Sequence, residues 1–162
     1  RNFSENASGD LDHISSDVLQ ASLQLAYRYA RHGVEGRISG HTLVIGNPSV
    51  LDNFGHTNGR NDFETNPPSV VHPSESDNVR DRMNADGMTI VHYETGLAVR
   101  NHFFAKGTAP THGLVGGARC SSAQWLVTNV KCVAIVIREN SSDILLYQSP
   151  GMNRPESLVA YD

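Results

Sequence analysis

Cys132-Val133-Ala134-Ile135-Val136-Ile137 is the clearest strand in this chain, a short run of small and β-branched apolar residues with no polar break. A run of that length and composition suits a strand buried on both faces. His41-Thr42-Leu43-Val44-Ile45 reads the same way and is closed by Gly46-Asn47-Pro48. Two such strands place a sheet at the centre of the fold, with helices needed to cover it.

The flanking segments supply that cover. Ser15 and Ser16 are N-cap candidates, with Asp17 favourable in the first turn, and the helix runs to about Arg31. Leu19, Leu23, Ala26, Tyr27 and Ala30 recur at helical spacing, and Gly33 is the expected stop. A short helix is expected over Asp77 to Asn84. Met88 to Tyr93 and Leu97 to Phe104 form a hairpin about the turn Glu94-Thr95-Gly96. Residues 105–117 read as a glycine-rich loop and Ala118 to Thr128 as a helix. Glu139 to Asp143 then turns the chain into a last strand, Ile144 to Tyr147. Strands and helices interleave, so the expected fold is α/β: one domain with a central mixed β-sheet flanked by helices. A polar N-terminal arm occupies 1–14 and the domain 15–150. Within it, 52–78 shows little periodicity and reads as a loop insertion; 151–162 is a C-terminal tail.

The 162 residues can bury a sizeable core, and 38% hydrophobic composition is not that of a disordered chain. The formal charge of −4 offers no global basic field, so nucleic acid is not an expected partner. No apolar run approaches the roughly 20 residues of a membrane helix, and no signal peptide is visible. Cys120 and Cys132 match no common zinc spacing and read as free thiols in a reducing, cytoplasmic setting.

Two stretches carry chemistry. Asp86-Gly87-Met88 puts a carboxylate at the mouth of an apolar strand, where it could serve a divalent metal or simply cap a turn. Gly116-Gly117-Ala118-Arg119-Cys120-Ser121-Ser122-Ala123 runs from a small-residue loop into a helix. Backbone N–H groups, Arg119 and the hydroxyls of Ser121 and Ser122 suit phosphate there, although glycines and serines also begin ordinary helices. Glu139, at a strand end, is a further metal candidate. There is no Walker A loop, no dinucleotide-binding fingerprint, no paired-histidine zinc helix and no nucleophile elbow.

The order of these pieces resembles the diadenylate cyclase (DAC) domain family over about Leu19 to Tyr147. The segment from Gly33-Val34-Glu35-Gly36-Arg37 through Gly40-His41-Thr42-Leu43-Val44-Ile45-Gly46 is similar to that family's glycine-flanked helix-to-strand segment. Asp86-Gly87-Met88 resembles its Asp-Gly-Ala motif. Gly117-Ala118-Arg119-Cys120-Ser121-Ser122-Ala123 resembles its Gly-[Thr/Ala]-Arg-His-x-x-Ala motif, closest to the archaeal branch. The strand Cys132 to Ile137 with Arg138-Glu139 resembles its Val-Val-Ser-Glu strand end.

The resemblance implies condensation of two ATP into cyclic di-AMP with release of two pyrophosphates, at a face-to-face homodimer and with Mn²⁺ or Mg²⁺. It makes Asp86 and Arg119 catalytic and gives the metal to Asp86 and Glu139. Gly87 and Met88 would lie near the nucleoside, and His102 or Phe103 would stack on adenine. Gly117, Ala118, Arg119, Cys120, Ser121 and Ser122 would surround the phosphates. Two departures matter: Cys120 stands where the motif has histidine, and Met88 where it has alanine. They leave open a second outcome, a degenerate domain that binds ATP or another nucleotide as a sensor.

Overall fold

The computed structural model describes residues 14–109, 117–139 and 143–150. The arm, the tail, most of the glycine-rich loop and the middle of the 139–143 turn lie outside these residues. Along the chain the elements are α1 (Ser16–His32), β1 (His41–Gly46), α2 (Pro48–Leu51), β2 (Gly55–Thr57) and α3 (Pro73–Arg80). They continue with β3 (Met88–His92), β4 (Ala98–Ala105), α4 (Ala118–Asn129), β5 (Val133–Ile137) and β6 (Ile144–Gln148).

The six strands form one mixed sheet in the order β2-β4-β3-β1-β5-β6. β1 and β3 pair in parallel, and every other neighbouring pair is antiparallel. The two runs that announced the sheet, β1 and β5, lie side by side inside it as an antiparallel pair, with Leu43 opposite Ile135. Both are buried along their length because the alternation of the pleat feeds two cores. Leu43, Ile45, Val133, Ile135 and Ile137 join α1 and α3 on one face. Val44, Ala134 and Val136 join Leu51 and the Cys120, Ala123, Leu126 and Val127 face of α4 on the other.

α1 buries Leu19, Leu23, Ala26 and Ala30 of its expected stripe, with Leu25 and Tyr29 beside them, whereas Tyr27 turns to the surface and accepts a hydrogen bond from Arg31. The helix ends at Gly33, whose φ of +63° suits glycine and whose N–H donates to the Tyr29 carbonyl. Ser15 is the N-cap by position, but its side chain makes no capping hydrogen bond. α3 starts four residues before the expected Asp77 and also ends earlier. Pro73 opens it, since proline's missing N–H costs nothing in a first turn. Segment 52–78 is not one loop. It contains β2 and the start of α3, and it buries Phe63 and Val70 in the α1 core. Val70 N–H donates to the Gly96 carbonyl and Ala98 N–H to Pro68, fastening the segment to the β3–β4 hairpin.

Tyr29, fully buried on α1, ties α1 to the two turns that lead into β1 and β3. Its hydroxyl lies 2.5 Å from the Ser39 carbonyl and 2.5 Å from Asn84 Oδ1. Tyr29→Phe leaves those groups short of a partner, at an expected cost of about 1–3 kcal/mol, seen as a lower urea midpoint with an unchanged slope.

Candidate functional site

The described residues enclose a cavity of about 480 Å³ where β1 and β3 begin, β5 ends and α4 begins. That volume suits a nucleotide-sized ligand. Asp86 enters on the turn before β3. The turn needs its glycine: Gly87 has φ +91°, and a Cβ there would stand 2.8 Å from the His102 backbone. Met88, the first residue of β3, and Phe103 of β4 form apolar floor.

Arg119 comes from the first turn of α4. Gly40 makes room for it, because a Cβ there would lie 2.8 Å from Arg119 Nη1 and 3.0 Å from the Ile137 carbonyl oxygen. Among the described residues Arg119 pairs with Glu139, with Nη1 to Oε2 at 3.9 Å and side chains 43% and 56% exposed. A pair so long and so wet is weak, so the guanidinium can turn to an anionic ligand at little cost. Gly117, Ala118, Cys120 and Ser122 line the same end, where the α4 N-terminus presents backbone N–H groups.

Ten of the expected positions therefore meet in one cavity: Asp86, Gly87, Met88, Phe103, Gly117, Ala118, Arg119, Cys120, Ser122 and Glu139. Ser121 does not. Its hydroxyl donates to the Ala109 carbonyl at 2.7 Å, and Ala109 N–H donates back to the Ser121 carbonyl at 3.0 Å. Successive helical side chains turn by about 100°, so the face that aims Ser122 inward aims Ser121 at this loop. His102 also lies outside the cavity lining. Its Nδ1 lies 3.3 Å from the Asp86 carbonyl and its Nε2 3.2 Å from Asp62 Oδ2, so it braces the Asp86 turn from behind. The Asn101 amide, and after it His102, hold the Asp62 carboxyl below its usual range. Cys120 is buried, 1% exposed, within the core of α4.

Sequence reading missed Thr42, Phe104, Ala105, Val136 and Arg138, which complete the wall. The alternation of two buried strands carried a signal for Thr42 and Val136, which share a face with Val44 and Ala134. Among the described residues no group of three or more His, Cys, Asp or Glu is placed to hold a metal.

His41 sits beneath the site, with Nε2 2.8 Å from Thr89 Oγ1. Burial first, and the Arg119 charge second, lower its pKa from 6.5 to about 3. The unfolded chain therefore takes up a proton here that the folded chain refuses. Stability from this group is fully present above pH 6.5 and is lost as pH falls toward 3. Between those limits it contributes a slope of up to about 1.4 kcal/mol per pH unit, so denaturant melts of His41→Gln should fall less steeply on acidification than wild type.

Neither a protein-family model nor a curated protein sequence matches the chain. Solved structures do. A hypothetical membrane-spanning protein from Bacillus cereus matches with a TM-score of 0.56 and 14% identity over 85% of this chain. The match takes in 60% of the Bacillus protein, so the chain corresponds to little more than half of its length. A double mutant of DacA from Staphylococcus aureus matches with a TM-score of 0.53 and 15% identity, over 85% of this chain and 84% of DacA. No helix among the described residues is long and apolar enough to cross a membrane. At such identities the likeness is one of architecture, and the chain has a DAC-like α/β fold.

Proposed function

We propose that the chain is a diadenylate cyclase that condenses two ATP into cyclic di-AMP and two pyrophosphates. The observation that carries this reading is the meeting of Asp86, Arg119 and Glu139, from three separate elements, around one nucleotide-sized cavity. The DAC-like fold supports it.

In this reading Asp86 orients the ribose 3′-hydroxyl and accepts its proton. The freed oxygen bonds to the α-phosphorus of a second ATP, and the bond from that phosphorus to pyrophosphate breaks. The same step in the opposite sense closes the ring. Arg119 and the α4 N–H groups stabilise the charge gathering on the departing pyrophosphate. One cavity of this size takes one nucleotide, so two protomers must face each other for two to be joined.

The donor set fits a small, hard divalent cation. Two carboxylates, Asp86 and Glu139, reach the cavity, and Mg²⁺ or Mn²⁺ commonly takes its remaining ligands from phosphate and water. Such an ion would neutralise triphosphate charge.

Burial of Cys120 favours a second reading, an ATP-binding sensor without turnover. A thiol is a weak donor that carries no positive charge, so it holds a triphosphate less firmly than the histidine of the family motif. Pyrophosphate release separates the two. With ATP and Mn²⁺, a cyclase releases pyrophosphate at a rate per protomer that rises with protein concentration. Saturable ATP binding without release supports the sensor, and absence of both contradicts each reading.

A further inference from the structure

Thr42 stands in the middle of the cavity floor. The register sets it between Met88 of β3 and Val136 of β5, and pairs Met88 in turn with Phe103 of β4. All four residues line the cavity. Three are wholly apolar. Thr42 brings a hydroxyl, and its Oγ1 is buried with no hydrogen-bond partner among the described residues. Valine would fill the same shape without that hydroxyl, so the unpaired oxygen carries a desolvation cost that no group among the described residues offsets. A 120° turn about χ1 carries Oγ1 into a neighbouring staggered position, now held by the methyl or the Cβ hydrogen, and can bring it to a group resting on the floor.

Resting on the nucleotide reading above, we infer that Thr42 is a specificity contact, its hydroxyl bonding the polar edge of a nucleobase laid on Met88, Phe103 and Val136. The chemistry of the cavity divides accordingly. Arg119 and the start of α4 offer charge and N–H groups to phosphates, whereas the strand row offers a flat apolar surface with one polar atom. A heteroaromatic base matches the second environment, having two apolar faces and a rim of ring nitrogens and exocyclic groups. A triphosphate does not.

Calorimetric titration of the full chain with ATP and Mg²⁺ tests this, using Thr42→Val and Thr42→Ser beside wild type. The expected result is ATP affinity about tenfold weaker in Thr42→Val, the worth of one hydrogen bond, with Thr42→Ser close to wild type. The unliganded Tm of Thr42→Val should be equal to or above that of wild type, because the orphan hydroxyl is gone. Wild-type ATP affinity in Thr42→Val would overturn the Thr42 contact and leave the nucleotide reading standing. A lowered Tm with unchanged affinity in both variants would make Thr42 a packing residue and overturn it too. Wild-type protein that binds no ATP would overturn both.

Discussion

Asp86→Asn is expected to lower cyclic di-AMP synthesis by about 100-fold or more, while the variant folds as wild type does and still binds ATP. The substitution keeps size and hydrogen-bonding shape but removes the group proposed to accept the 3′-hydroxyl proton. The turn itself should survive. Gly87, not Asp86, meets its steric demand, and His102 holds the Asp86 backbone carbonyl, which asparagine retains. Loss should therefore appear in kcat, with little change in the melting curve. Wild-type kcat in this variant would remove Asp86 from the chemistry.

Arg119→Ala is expected to weaken ATP binding by about 10- to 100-fold, the range for charge-assisted hydrogen bonds to phosphate. Little stability should be lost with it, because the side chain is 43% exposed and its ion pair with Glu139 spans 3.9 Å. A lost guanidinium also lifts a cation from beside buried His41, whose pKa should then rise toward its ordinary value. Titration of the His41 ring by NMR would show that shift without any ligand. Unchanged ATP affinity would contradict the phosphate role under the cyclase and the sensor readings alike.

The sequence exposed the centre of this fold more readily than its margins. β1 and β5 are apolar along their length because both of their faces are covered, and that leaves an unbroken run to read. α1 follows an apolar stripe with a glycine stop. β2 left no such trace: it is three residues, Gly55-His56-Thr57, in a stretch rich in Asn and Gly, and it forms because β4 offers an edge to pair with. No local pattern encodes a strand that short. α3 was misplaced because its best start signal is the first-turn proline, Pro73, not the acidic residue four positions on.

The site divides in the same way. Asp86-Gly87 and Gly117-Ala118-Arg119 were legible as short motifs whose spacing is local. Thr42 and Val136 carried only their strand alternation, which gives a face and names no site; they and Arg138 reach the cavity only through the β3-β1-β5 pairing. Ser121 and His102 show the opposite failure. Each has suitable chemistry and a suitable address, yet Ser121 is turned onto Ala109, and His102, at φ +54°, stands behind the turn it braces. One residue of helical rotation, or one left-handed residue in a strand, is enough to remove a side chain from a site.

The mass of the product made from ATP tests the central claim most directly. Purified wild-type chain with ATP and Mn²⁺ should yield cyclic di-AMP, with two pyrophosphates released per product molecule, and Asp86→Asn should yield almost none. ATP recovered intact, or converted only to ADP or AMP, would contradict the cyclase.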